Sequence, residues 1–199
     1  MEVYVKSNKI NWKNALFLGT ILFFILSLIN ISFAFLGIIC VITPFYMVIK
    51  SGEKLWCTTY CPRASLFSKL FKKISLDLKP PEWLYKKETK RFVLNYFCIN
   101  LVFIVFSSYM VAQNSIMPMN FVRLLMVFQI PVELPQLIHI ALPDVISHIG
   151  FRIFSIMFTS TIIGMILGIM FKPRTWCAIC PVQTLTTITR DYMKQELKR

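Results

Sequence analysis

The sequence has few charged residues and few glycines. Only 16% of its 199 residues are charged and 56% are hydrophobic, whereas a soluble domain is about a quarter charged. Glycine occurs only 6 times, while phenylalanine occurs 18 times. This composition argues against a soluble core surrounded by loops, and it favours helices that lie in a lipid bilayer.

Acidic residues are also scarce, and the net charge is +13. A nucleic-acid-binding protein can be this basic, but here the lysines and arginines lie in short segments between long apolar runs. Apolar runs of about 18 or more residues indicate membrane-spanning helices. The pattern therefore predicts a multi-pass protein that contacts membrane lipid and does not bind nucleic acid.

Four apolar runs predict four transmembrane helices. The first apolar block, residues 15–49, is too long for one span, because a bilayer core needs about 20 residues. Asn30 and Ser32 interrupt this block, and no signal-peptide cleavage pattern follows it. The predicted spans are residues 12–29, 31–49, 92–112 and 151–171.

The basic residues predict which side of the membrane each segment faces. Residues 50–91 hold eleven basic and four acidic residues, and the tail from Lys172 holds six basic and two acidic residues. Residues 113–150 carry only three formal charges. By the positive-inside rule, both termini and residues 50–91 face the cytoplasm across the plasma membrane, and residues 113–150 face outside.

The outer segment, residues 113–150, is too apolar for a solvated loop. Four prolines interrupt it too often for a span. This combination predicts short helices in the interface plane or a cap over the bundle. The predicted fold class is therefore all-α: a polytopic membrane protein with four transmembrane helices and an outer interfacial segment.

Two Cys-Pro motifs follow the second and the fourth predicted spans. They read WCTTYCP at residues 56–62 and WCAICP at residues 176–181. A cytoplasmic amphipathic helix is predicted after each motif, on the inner membrane surface. The chain is thus interpreted as a single membrane domain, residues 1–199, built as a weak internal repeat. Residues 12–75 form one helix pair with its motif, and residues 92–199 form the other.

The motif cysteines are candidate metal ligands. Proline suits the first position of a helix, so each second cysteine is expected at a helix N-terminus, which stabilises a thiolate. Cys57, Cys61, Cys177 and Cys180 together supply four sulfurs at the cytoplasmic face. Four thiolates hold an iron–sulfur cluster, such as [4Fe–4S], or a tetrahedral zinc ion. Proline after the second cysteine favours iron–sulfur, since bacterial ferredoxin motifs end in Cys-Pro.

Two further cysteines, Cys40 and Cys98, lie within predicted spans. A buried free cysteine usually behaves as a small hydrophobic residue. Both are therefore interpreted as packing residues and not as ligands.

With these motifs the chain resembles the membrane-bound 4Fe-4S proteins of the NapH and NosR type. That family combines several spans with cytoplasmic Cys-x3-Cys-Pro motifs. Cys57 and Cys61 match the pattern, while Cys177 and Cys180 have one residue fewer between them. The ferredoxin domain that usually accompanies the family is lacking. The resemblance implies an electron-transfer component that uses a separate ferredoxin, flavoprotein or reductase subunit. Members of the family pass electrons between a membrane quinone pool or flavin and reductases, or assist maturation.

A quinone would need polar groups that handle protons, and histidine changes its charge near neutral pH. The candidates all lie in or beside the outer segment. They are His139, His148, Asp144 and Arg123. The alternative interpretation is that they are ordinary polar residues of the membrane interface.

Two other functions compete with an iron–sulfur electron carrier. One is a non-redox assembly factor or regulator with a structural zinc site. The other is a quinone-linked thiol–disulfide oxidoreductase. Proteins of that last kind use cysteine pairs on the outer face, whereas the charge pattern here places both pairs inside. A cytoplasm that keeps thiols reduced also argues against disulfides.

Overall fold

Seven α-helices and one β-hairpin make up the part of the chain that the computed structural model describes, which is residues 12–125, 128–133 and 143–196. Short helical turns at Ile31–Phe35, Trp56–Tyr60 and Glu82–Tyr85 connect them. The helices are α1 Trp12–Ile29, α2 Leu36–Ser51, α3 Pro62–Leu70, α4 Lys87–Ala112, α5 Asp144–Met170, α6 Thr175–Ile179 and α7 Pro181–Glu196.

Three helical segments are long and apolar enough to cross a membrane. They are Ile31–Ser51, Lys87–Ala112 and Asp144–Met170. The segment Leu16–Ile29 of α1 is a shorter apolar helix. The outward face of α4 is strongly apolar, with Phe92 71% exposed to the surroundings of the chain. The chain is therefore a membrane protein, and a fourth span formed by α1 stays a prediction.

The predicted break after the first helix is confirmed. Helix α1 ends at Ile29, and the Asn30 side chain accepts a hydrogen bond from the Ser32 backbone N–H at 2.8 Å. An asparagine that binds the backbone two residues later favours a turn over a continued helix. The chain therefore turns between α1 and α2.

Contacts between the helices fix their relative directions. Ile31 packs on Gly150, and Gly37 packs on Ile153 and Met157, so α2 runs parallel to α5. Helix α4 runs antiparallel to α5, because Ser107 near its end hydrogen-bonds His148 near the start of α5. The end of α2, the start of α4 and the end of α5 thus lie together, at what we term the Met170 end.

Both motif prolines begin a helix, Pro62 in α3 and Pro181 in α7. The buried side of α3 packs against α1 and α5, and its predicted position on the inner membrane surface stays a prediction. Phe67 is fully buried, and a Cβ atom at Gly164 would overlap its ring. Phe71 fills the next groove, 2.9 Å from where a Cβ of Gly168 would stand. Gly164 and Gly168 therefore form a surface of α5 on which α3 and Phe71 pack.

The outer segment differs from the predicted interfacial helices. Strand β1, Phe121–Leu124, pairs antiparallel with strand β2, Phe128–Glu133, while residues 126–127 and 134–142 lie outside the described residues. Pro131 disfavours a helix here and is tolerated in a strand with a free edge. The hairpin packs along α5, where Ser155 Oγ accepts the Arg123 N–H at 3.1 Å. Side-chain hydroxyls of α5 thus accept hydrogen bonds from backbone N–H groups of the hairpin. In an α-helix these N–H groups would bond to carbonyls of the same helix.

A cysteine-lined cavity inside the helix bundle

The chain turns back into the bundle after α2 and again after α5. Gly52 reverses the first turn in the left-handed conformation (φ 69°), and its N–H donates to Val48 O at 2.8 Å. The segment Trp56–Tyr60 then leads to Cys61, which is extended. In the second motif α6 takes the place of the segment Trp56–Tyr60 and leads to Cys180. Each second cysteine therefore lies at the point where the chain reverses and a new helix begins.

Arg63, the residue after Pro62, extends from the first reversal to the middle of α5. Its guanidinium Nη1 donates to Ser160 Oγ at 2.7 Å. Ser160 precedes Met170, the last residue of α5, by ten positions. Ten helical residues span about 15 Å. The Arg63 side chain thus reaches from the motif well into the bundle, while the position of the motifs at the cytoplasmic membrane face stays a prediction.

The four motif cysteines line one cavity of about 150 Å³ between these helices. Cys40 of α2 lines the same cavity, whereas Cys98 is exposed on α4 and does not. Sequence position gave no sign that Cys40 would join the motif cysteines, since its neighbourhood depends on how α2 packs against the reversals.

Helix N-termini direct backbone N–H groups at the motif. The N–H groups of Gln183 and Val182 bind the Cys180 sulfur, and together with the charge of Arg63 they lower its pKa. Burial acts in the opposite direction and dominates, so the pKa of Cys180 is raised. The prediction that the second cysteine meets a helix N-terminus is confirmed for this residue.

The thiols of Cys57 and Cys177 are also held neutral by their surroundings. Burial, followed by the nearby Cys61 and Cys180, raises the pKa of Cys57 to about 11. The same causes raise the pKa of Cys177 to about 12. Each thiol thus acts electrostatically on others from the opposite motif. Without a bound cation Cys57, Cys177 and Cys180 favour the protonated state, and a metal must displace those protons to bind.

A tryptophan in the cavity wall carries a hydrogen-bond donor that has no acceptor among the described residues. The Trp176 side chain lines the cavity and is 7% exposed, and its Nε1–H has no acceptor among the residues that the structure describes. Sulfur atoms of a thiolate-bound cluster would provide one. Within those same residues no three His, Cys, Asp or Glu side chains are already close enough to hold a single metal ion. The four thiols, the cavity that they line and the Trp176 N–H without an acceptor together fit a group that contains several metal ions and sulfur.

The predicted quinone-side residues do not gather around a described cavity. His148 is 2% exposed, its Nδ1 accepts the Met119 N–H at 3.2 Å, and its Nε2 lies 3.0 Å from Ser107 Oγ. The Nε2 atom therefore carries the proton. Arg123 packs over Phe121, and Asp144 is exposed at the start of α5. His139 lies outside the described residues.

A second cavity, of about 460 Å³, lies between α4 and α5 beside the cysteine cavity. Its walls are almost wholly apolar, and the tip of the hairpin at Leu125 closes it on one side, where Tyr96 OH donates to Leu125 O at 2.7 Å. The two cavities share part of their walls. The shared residues are Phe97, Ile156, Ser160, Trp176 and Pro181.

Comparisons with known proteins add no relative. No protein-family model, no curated protein and no solved structure matches the chain.

The raised thiol pKa values predict the alkylation behaviour of the metal-free protein. A pKa near 11 leaves about one thiol in a thousand ionised at pH 8, against roughly a quarter for an ordinary cysteine. Alkylation of Cys57 and Cys177 by iodoacetamide should therefore be slow at pH 8. Its rate should rise about tenfold per pH unit up to pH 10, as followed by mass spectrometry of the two peptides.

The same protein unfolded in detergent serves as the control, and its cysteine reactivity should level off near pH 9. A plateau near pH 9 in the folded protein as well would show that the thiols are not held neutral by burial.

Proposed function

We propose that this protein is a membrane-bound iron–sulfur electron carrier. Cys57, Cys61, Cys177 and Cys180 would be the ligands of one cluster, for which [4Fe–4S] is the simplest assignment. Such a cluster supplies one-electron redox chemistry. The observation that carries the proposal is the single cavity that all four thiols line.

The size of that cavity favours a cluster over zinc. Sulfur atoms bind zinc at about 2.3 Å, so four thiolates pack directly around the ion and leave no cavity. The cavity of about 150 Å³ is roughly ten times the space that one water-sized sphere needs. Iron and sulfide atoms of a cluster would occupy such a space. A structural zinc site in an assembly factor stays the alternative.

The electrostatic surroundings also suit a cluster. A cluster ligated by four thiolates is a net anion. The N–H groups at the start of α7, the indole N–H of Trp176 and the guanidinium of Arg63 are donors or positive charges around it. Protein hydrogen bonds to cluster sulfurs are a main determinant of reduction potential.

The orientation rests on the distribution of charge. We propose that the Met170 end faces the cytoplasm, since the basic connections and the C-terminal tail lie there, and that the protein has four spans in the plasma membrane. A soluble or peripheral redox protein would exchange electrons with the cluster from this side.

The apolar cavity between α4 and α5 supports a lipid-soluble partner. Ligand cavities for small molecules are concave and mostly apolar. This one shares a wall with the cysteine cavity. We propose a membrane quinone here and not among the outer polar residues, because this cavity adjoins the one that the thiols line.

Anaerobic purification in detergent tests the electron-carrier proposal. The wild-type protein should contain about four irons and four sulfides per chain, with an EPR signal on reduction by dithionite. Cys57→Ala and Cys177→Ala should each lose the signal, because each removes a ligand from a different motif.

Cys98→Ala is the matched control and should keep both iron and signal, since Cys98 does not line the cavity. One zinc per chain without sulfide would overturn the electron-carrier function and leave the structural zinc site.

The orientation is tested with an epitope tag fused after Arg199 and protease added to sealed membrane vesicles. The tag should be digested in inside-out vesicles and protected in right-side-out vesicles, because the basic tail is proposed to lie in the cytoplasm. Digestion in right-side-out vesicles alone would contradict this orientation.

Filling the apolar cavity tests the quinone site. Val93→Trp adds bulk to a residue that lines it. Reduction of the cluster by duroquinol should slow by roughly tenfold or more, as expected when a reactant is displaced from its site. Iron content and reduction by dithionite should not change.

Val102→Trp is the control on the same helix, because Val102 is 68% exposed and lies outside the cavity. Equal rates in both variants would exclude this cavity as the quinone site without touching the cluster assignment.

A further inference from the structure

Arg63 occupies an unusual position for a charged residue in a membrane protein. It follows Pro62 in the first turn of α3, and it reaches the middle of α5. Its Nη1 donates to Ser160 Oγ at 2.7 Å, and its Nη2 donates to Met157 Sδ at 2.8 Å. A thioether is a weak acceptor. The guanidinium is therefore held in place without strong compensation of its charge.

Neither of these two partners carries a negative charge. Among the residues that the structure describes, the one ion pair joins Arg190 and Asp191 at the exposed end of α7. A cation inside a membrane protein normally pairs with an anion or marks a functional site. Arg63 is half-buried, so solvent screens its charge less than it screens the charge of an exposed residue. Within the described residues, Arg63 is thus a cation with neutral hydrogen-bond partners and no ion pair.

Two other cations near the motifs, Lys69 and Arg174, are placed differently. Lys69, on the same helix, is exposed and stacks over the Phe17 ring at 4.2 Å. Arg174 is exposed and donates to Ser68 Oγ at 2.8 Å. Solvent and headgroups can compensate these two charges. Arg63, in contrast, lines the cavity that the four motif cysteines line.

We propose that Arg63 is the counter-charge of the metal centre and sets its reduction potential. One-electron reduction adds one negative charge to a cluster that is already an anion. A fixed cation beside the cavity stabilises the reduced state more than the oxidised state, and so raises the potential. This inference rests on the proposed iron–sulfur function, and it gives Arg63 a role that sequence position alone did not single out among the basic residues.

The experiment is a potentiometric titration of the EPR signal in the wild type and in Arg63→Gln, Arg63→Lys and Lys69→Gln. At a fixed electrode potential, Arg63→Gln should lower the ratio of reduced to oxidised cluster by about tenfold, which corresponds to about 59 mV for one electron. Arg63→Lys should restore most of the ratio. Lys69→Gln removes the same charge from the same helix and should leave the ratio unchanged.

A second pair of variants separates charge from packing. Ser160→Asp places a carboxylate next to the guanidinium and neutralises it, and Ser160→Asn places a neutral amide of similar size there. The Asp variant should lower the ratio as Arg63→Gln does, while the Asn variant should stay near the wild type. This pair also decides the question if Arg63→Gln fails to assemble.

The outcomes distinguish this inference from the function on which it rests. A wild-type protein without iron and sulfide would overturn both. A wild-type protein with a full cluster, whose potential is the same in Arg63→Gln or in both Ser160 variants, would overturn the role of Arg63 alone.

Discussion

Non-helical backbone inside a membrane protein must find hydrogen-bond partners within the protein, and the structure depends on how two cysteine motifs meet this requirement. At each reversal a proline begins the next helix, where its missing N–H costs nothing. The carbonyl of the preceding cysteine then accepts an N–H from the new helix, from Ser65 to Cys61 and from Thr184 to Cys180. Both turns therefore lie among the helices with the cysteine carbonyl paired, and the thiols line one cavity.

The two halves of the chain interlock around that cavity. Helix α3 of the first half packs against the Gly164 and Gly168 surface of α5, and α7 of the second half packs beside α2, where Lys54 Nζ reaches Thr187 Oγ1 at 2.5 Å. A ligand set drawn from both motifs would hence hold the halves together. Because the pKa values of Cys57, Cys177 and Cys180 are raised in the metal-free protein, the binding of a cation and the release of protons are linked events.

Much of the helical framework could be predicted from sequence. The first predicted helix has the observed bounds of Trp12–Ile29, and Asn30 ends it as expected, since apolar length and turn chemistry are local signals. The proline-initiated helices were likewise predictable. The hairpin was not, because its stability comes from α5 hydroxyls far away in sequence. The position of the motif cysteines among the helices, and the presence of Cys40 in the wall of their cavity, depend on packing between helices. The sequence holds no local signal for that packing. The four ligand assignments themselves stay predictions.

X-ray absorption on the purified wild-type protein, measured at the iron and zinc edges, tests the central claim most directly. It reports which metal the four thiols hold and what surrounds that metal. The account predicts iron with a first shell of sulfur alone and a second shell that contains other iron atoms. A single zinc ion with four sulfur neighbours and no metal neighbour would contradict it.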